Sequence, residues 1–429
     1  MTPPGSPFTK KILFLGHGAS RSGAPILLLH FLQWLKHNSV VPFEVLLKTG
    51  GPLEADFAAL APTTVLQSSG FETALVKICK RLGWKVPARF QLPAKVAAFA
   101  RERQVGVIYA NTVVVAEEVA ALASLKLPVV WHVHEMPYAV RCFGGGQPFQ
   151  DASPLATAFI ACSDGVRRGL TEHFSVPAHK IAVIHEFIRP APMEAATQAT
   201  HRESVRKELA WPADAFVAGM CGTVEWRKGA DWFVSVAKRL ATEFPARKIY
   251  LLWIGAPDSE QTQVQVDHDL RLAGLTERVR FIGGQADSQR YLAALDAFAL
   301  TSREDPFPLA MLEAAALAIP MVCFRDSGGG PEFAEQDAGV VVDYADTTGL
   351  AEALVRLSEQ PVWCRQLGDA ARKKVLSRFT VEAQAPKILR VIRETAEKAG
   401  GYLNDELFGG PPKRAGGPPA LPITGEGDK

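Results

Sequence analysis

The chain has 429 residues, 48% apolar and 21% charged, a globular composition too long for one ordinary core, so two domains are expected. Its formal net charge of +2 excludes a global field for nucleic acid or another polyanion. Six cysteines (Cys79, Cys142, Cys162, Cys221, Cys323 and Cys364) are scattered without a CxxC pair, which argues for buried free thiols in a reducing compartment over disulfides or metal ligands.

The apolar run after Lys10-Lys11 is only four residues long, so no signal peptide is expected. No window of 18 apolar residues is present, so no membrane span is expected either, and the expected location is the cytoplasm. Residues 1–9 read as a flexible arm and 11–16 (KILFLG) as a buried strand. A loop with Gly18 and Gly23 follows, then helical spacing over 26–37. The glycine spacing is not that of a dinucleotide fingerprint, but such a loop lets backbone approach a ligand closely.

Strands are expected at 43–48, 105–109, 129–134 and 158–163, with helices at 73–82, 94–102 and 116–125. Strands alternating with helices predict an α/β fold with a parallel, doubly wound sheet. Ser163 before Asp164-Gly165-Val166 reads as a helix N-cap. Residues 181–187 (IAVIHEF) are one more strand, and Arg189-Pro190-Ala191-Pro192 marks a linker. After a polar stretch at 194–203 the pattern restarts, with strands at 216–222, 249–255, 279–282, 297–300, 321–324 and 339–342 and helices between them. That is a second doubly wound domain. Residues 363–377 and 381–398 are helical, and the Gly- and Pro-rich segment 400–429 is expected to be a disordered tail.

The most informative stretch is 301–320, TSREDPFPLAMLEAAALAIP. It joins a strand to an alanine- and leucine-rich helix and spaces Asp305 and Glu313 eight residues apart. The N-terminus of such a helix presents unpaired N–H groups suited to a diphosphate. Pro306 and Pro308 have no N–H, so Phe307, Leu309, Ala310 and their successors are the backbone donors. A carboxylate deeper in the helix can accept bonds from hydroxyls of the same ligand. Upstream, His132 and His134 end a strand on one face. Two histidines at that spacing suggest a metal, but no third ligand stands in a fitting context, so none is expected.

Asp305-Pro306-Phe307-Pro308-Leu309 followed by Glu313-Ala314 resembles the donor-site signature of retaining GT-B glycosyltransferases, specifically glycosyltransferase family 4. The similarity runs roughly from residue 11 to 397 and is strongest over 217–343. It implies two Rossmann-like domains facing each other across a cleft. The boundaries are then 10–190 for the acceptor-side domain and 191–380 for the donor domain, with the last helix, about 381–398, crossing back. The first acid of the family pattern falls on Asp305, with Glu304 directly before it as the competing candidate.

Further roles follow from the resemblance alone. Asp305 contacts hydroxyls of the donor sugar, Glu313 the ribose, and Lys228 the diphosphate. Thr223 stands where the family often has arginine, and Arg227 is the substitute. Gly284 lies in the loop behind the nucleotide base, which is uridine or guanosine. The loop with Gly18 and Gly23 faces the donor diphosphate or the acceptor, and His134, followed by Glu135, is the histidine near the reacting carbon. Ser327-Gly328-Gly329-Gly330-Pro331-Glu332 matches a glycine-rich turn read as structural. His185-Glu186 occupies the place of the family's Asn-Gly.

The implied activity is metal-independent, retaining transfer of a sugar from a UDP- or GDP-sugar to a hydroxyl of a glycan, lipid-linked or small-molecule acceptor. Front-face attack needs no enzymic base, in keeping with the lack of a glycosidase-type carboxylate pair. The alternatives are a nucleotide-sugar-binding relative without catalysis and a GT-B sugar-nucleotide epimerase. Finally, residues 76–104 carry Lys77, Lys80, Arg81, Lys85, Arg89, Lys95, Arg101 and Arg103 against the single acid Glu102, with Trp84 and Phe90 among them. Two readings stand for this segment: a solvated positive helix pair, or a face for an anionic membrane surface.

Overall fold

The computed structural model describes residues 10–66, 92–143, 146–190 and 193–398. Two parallel sheets organise them. The first has seven strands: β1 (Lys11–Gly16), β2 (Phe43–Leu47), β3 (Thr63–Val65), β4 (Val105–Asn111), β5 (Val129–Val133), β6 (Ala158–Ala161) and β7 (Ile181–Val183), in the order β3-β2-β1-β4-β5-β6-β7. The second has six: β8 (Phe216–Cys221), β9 (Ile249–Ile254), β10 (Val279–Phe281), β11 (Ala297–Leu300), β12 (Met321–Phe324) and β13 (Gly339–Val342), in the order β10-β9-β8-β11-β12-β13. Every strand pair is parallel, and β2, β4, β5, β11 and β12 are buried along their whole length. Helices therefore cover both faces, which is why these strands read as continuous apolar runs.

In each sheet the order reverses once, between β1 and β4 and between β8 and β11. A doubly wound sheet opens its binding crevice at such a switch point, beyond the carboxyl ends of the strands. The chain puts its glycine-rich loop after β1 and the motif of 301–308 after β11, so both halves of the cleft lie at the reversals. The helix Val381–Lys398 returns to the first domain. Its Val381, Ala385, Ile388 and Ile392 pack with Ile12, Phe14, Tyr109 and Val130, and the crossing is pinned where Ile188 N–H donates to Phe379 (3.0 Å) and Val381 N–H to Ile188 (3.1 Å).

The expected strands are found, but 181–187 is a strand only to Val183, and the residues after it enter the cleft. The helix Glu54–Leu60 and β3 have no counterpart in the sequence reading, being too short for a periodic signal. The polar stretch 194–203 proves helical over Ala195–Glu208. That helix buries Val205 and Arg206 and offers little periodicity. Arg206 anchors it by donating to the carbonyls of Ala294 (2.8 Å) and Ala215 (3.2 Å) and to Asp296 (2.8 Å). Ser163 caps the helix Asp164–Phe174 as expected, accepting from Val166 N–H at 3.1 Å.

The arm 1–9, the helix expected at 73–82, the tail 400–429 and Cys79 lie outside the described residues, as does most of the basic segment 76–104. Arg103, at its described end, pairs with Glu44 at 3.3 Å. The five described cysteines are free thiols. Among the described residues, no helix is long and apolar enough to cross a membrane.

Candidate active site

On the second-domain side the site is built from two loops pressed together. Gly229 ends the turn after β8 at φ +73°, and a methyl there would lie 2.0 Å from the Thr301 carbonyl oxygen, so only glycine admits the loop after β11. The contact brings Lys228 Nζ to 2.5 Å from Asp305 Oδ2, which also accepts from Ser302 Oγ at 3.1 Å. Asp305 is buried. Arg227 donates to Glu225 (2.6 Å) and to the Glu304 carbonyl (2.9 Å), so it braces the two loops from the side. Arg303 does the same from below. Its guanidinium bonds Asp231 (2.7 and 2.8 Å) and the Trp226 carbonyl (2.6 Å), with Trp226 and Trp232 rings 4.4 and 3.8 Å away. The sequence reading missed Arg303, because its partners are some seventy positions distant in the chain.

The helix Leu309–Ala316 starts directly behind this pair, with Pro308 as its N-cap. The amides of Leu309 and Ala310, in its first turn, cannot bond within the helix. Phe307 contributes backbone only: its ring is buried, 5.3 Å from the Phe379 ring and 4.9 Å from the His185 ring. Glu313 shares a pocket with Ile26, His30, Arg189, Gln289 and Leu309 and has no hydrogen bond or ion pair among the described residues. Burial without a partner pushes its carboxyl up to about 7. His30 in the same pocket is pushed down to about 4, by burial first and then by Arg189.

Gly23 lies across the cleft from this helix; a side-chain carbon there would stand 3.9 Å from Leu309 Cδ1. Gly18 instead faces its own domain, where a methyl would lie 2.4 Å from Thr49 Oγ1. Gly284 follows Gly283, which takes φ +70° and accepts from Gly255 N–H at 2.8 Å. A methyl at Gly284 would make ordinary contact with Ala256, 3.7 Å from its Cβ and 4.0 Å from its nitrogen.

Two further carboxylates of the second domain reach into the first. Glu304 accepts the N–H groups of Tyr138 (3.1 Å) and Ala139 (3.3 Å), at the start of the helix Pro137–Phe143. Glu332 accepts those of Asp164 (2.9 Å) and Gly165 (2.8 Å), and lies 3.4 Å from His185 Nε2. Asp305 therefore faces Lys228 while Glu304 caps a helix of the opposite domain. The turn 327–330 supports the donor loop: Asp305 N–H donates to Ser327 (2.7 Å) and Gly329 N–H to Asp305 (3.0 Å). Gly328, at φ +116°, brings a would-be methyl 2.0 Å from the Asp305 carbonyl oxygen.

On the opposite wall, His132 and His134 do share a face, with ring centroids 4.0 Å apart. His132 turns into the core, where its Nδ1 bonds the Tyr109 hydroxyl, and burial followed by the neighbouring His134 holds its pKa well below the usual value. His134 is wedged between Asn111 Oδ1 (2.9 Å from Nε2) and Glu186 (3.1 Å from Nδ1). Glu135 folds back to accept from His134 N–H (2.9 Å) and Val113 N–H (3.3 Å). His134, Cys162 and Glu186 offer potential ligand atoms within 4.8 Å of one another, a group formed by tertiary structure and not by the i, i+2 histidines. In the structure those atoms are engaged with one another: Glu186 takes both the His134 ring and the Cys162 thiol.

These two walls match known protein families. Residues 56–191 match the model for "Glycosyltransferase Family 4" and residues 215–360 that for "Glycosyl transferases group 1". The chain belongs to glycosyltransferase family 4. A lipopolysaccharide core biosynthesis glycosyltransferase, LpsD of Rhizobium meliloti, is 30% identical over 206 residues, 47% of this chain and 54% of that protein. LpsE of the same organism is 28% identical over 187 residues, 44% and 52% of the two chains. The chain thus spans about half the length of the curated relatives it matches. The Anabaena protein Alr3699/HepE in complex with UDP superposes with a TM-score of 0.71 at 21% identity, over 90% of this chain and 100% of that one. This likeness establishes the GT-B fold, two doubly wound domains about a cleft.

Proposed function

We propose that the chain transfers a sugar from a nucleoside diphosphate sugar to an acceptor hydroxyl with retention of anomeric configuration. The observation that carries this reading is Glu313, a carboxyl held without a partner behind the first turn of a helix and close enough to the Lys228–Asp305 pair that Glu313 and Lys228 both act on the Cys221 thiol. A half-buried carboxyl with no protein partner, its pKa raised by poor solvation, is an acceptor open to a ligand.

Each group then has one task. The Lys228 ammonium and the free amides of Leu309 and Ala310 meet the charge that grows on the departing diphosphate. Lys228 has three N–H donors, so it serves a phosphate while keeping Asp305. Asp305 and Glu313 accept hydroxyls of the sugar and the ribose. The leaving phosphate takes the proton of the attacking hydroxyl on the same face, so no further base is required and no divalent metal is invoked. The related structures bound to UDP and UDP-glucose favour a uridine donor, with GDP-sugars next. Relatives named for lipopolysaccharide core biosynthesis favour a glycan or lipid-linked acceptor.

Thermal melts against a panel of UDP- and GDP-sugars test the donor. A true donor at a hundred times its Kd adds about 2.7 kcal/mol of stability. Hydrolysis or transfer should follow, persist in EDTA, and yield a product with the donor's anomeric configuration by NMR. Stabilisation with no turnover against any acceptor would instead indicate a binding protein without catalysis, and EDTA-abolished turnover restored by magnesium or manganese would refute metal independence. A membrane-bound acceptor adds a second expectation: the full chain sediments with anionic vesicles at low salt, through the basic residues of 76–104 at about 1 kcal/mol each. Equal, negligible sedimentation with anionic and neutral vesicles would assign the chain a soluble acceptor.

A further inference from the structure

We infer that Glu186 and Asn111 are positioning residues that hold the His134 ring as a double hydrogen-bond donor, so that it serves the transfer as a fixed part of the cleft wall and not as a proton shuttle. This role rests on the transferase reading above. All three side chains are buried, with residue exposures of 8% for His134, 6% for Glu186 and 1% for Asn111. Asn111 Nδ2 donates to the Ala24 carbonyl at 3.2 Å, which fixes the amide so that its oxygen, not its nitrogen, faces His134. Nε2 of the ring must then carry a hydrogen. Nδ1 faces a carboxylate oxygen and must carry one too.

With both N–H groups committed, the ring offers no lone pair to an acceptor hydroxyl, and a base at this position is excluded by its own contacts. His132 from β5, Glu135 and Cys162 from just past β5 and β6, and His17 from the loop after β1 face the ring, with Tyr109 behind His132 and Lys48 beyond His17. His132 and His17 are both driven toward their neutral forms, by burial first and then by His134. Glu186 is the carboxylate that fixes the Nδ1 side of the ring. It also ties this wall to the donor, because the adjacent His185 contacts Glu332 and the Phe307 ring of the donor domain. The dipeptide that departs from the family pattern is thus one of the links between the two halves of the site.

The test uses the full chain labelled with 15N-histidine. In the wild type at neutral pH, His134 should show two slowly exchanging ring N–H groups, a signal read without any substrate. Glu186→Gln keeps the shape but not the charge, and one of the two should disappear. With the best donor from the panel, Glu186→Gln should lower kcat by about 10–100-fold while leaving donor KM within a few-fold, as loss of an orienting partner does. Asn111→Ala should act in the same direction. An unchanged His134 signal and unchanged kcat in Glu186→Gln would overturn the assignment, even in an active transferase. Two N–H groups in a wild type that turns over no sugar would uphold the positioning while refuting the transferase reading.

Discussion

The two walls of the cleft treat His134 and Glu313 in opposite ways. On the first-domain wall His134, Glu135 and Glu186 are spent on protein partners, which makes that wall rigid. On the donor-domain wall Glu313 has none and is poorly solvated, and the Lys228–Asp305 pair holds two charges at the cleft. Satisfied groups shape a site, whereas a group left wanting is kept for a ligand whose hydroxyls complete it.

The comparison is broken most severely at Lys228. Lys228→Ala strands the buried Asp305 carboxylate, and removing one member of a buried pair costs about 3–5 kcal/mol of stability. Donor affinity should fall as well, by roughly 1.5–3 kcal/mol for a charge-assisted bond. Urea unfolding and calorimetric titration measure the two losses separately. Unchanged donor affinity would remove Lys228 from the site.

Glu313 sharpens the contrast, because its substitution should help stability while harming binding. Its folded carboxyl is raised to about 7 against an ordinary 4.5, so between those values the folded state binds more protons than the unfolded. Stability from this group is present below pH 4.5 and is lost as pH rises through about 7, on the order of 3 kcal/mol in all. Glu313→Gln should match the wild type near pH 4 and melt higher above pH 8, yet bind donor about 10-fold or more weakly. A melting difference that does not change with pH would contradict the buried, unpaired state of the group.

The smallest effects belong to the carboxylates that join the walls. Glu332→Ala leaves the Ser163 cap in place but strips the acceptor from the Asp164 and Gly165 amides of the helix Asp164–Phe174, and should cost about 1 kcal/mol by urea unfolding. Glu304→Ala should cost less, since its bonds of 3.1 and 3.3 Å are longer than the 2.9 and 2.8 Å of Glu332. If Glu304→Ala proves the costlier, the principal clasp between the domains lies at Tyr138 and not at Asp164.

Much of this architecture was legible from residues alone. Buried parallel strands are continuous apolar runs, so β1, β11 and β12 appear in the sequence with the bounds they have in the structure. The donor wall was equally visible, because Asp305, Phe307, Leu309 and Glu313 lie on one short segment whose spacing is set by a turn and a helix. Polar helices such as Ala195–Glu208 were not, because their burial is on one or two residues and leaves no period to read.

Sequence by itself therefore determined the fold class, the switch-point loops and the order of acids along the donor motif, all of which depend on local periodicity and spacing. Tertiary structure decided which acid does what. It gave Asp305 to Lys228 and Glu304 to the opposite domain, and it set Glu186 against His134 across 52 positions of chain. Those choices depend on which strand ends meet at the cleft, and no local pattern carries that information.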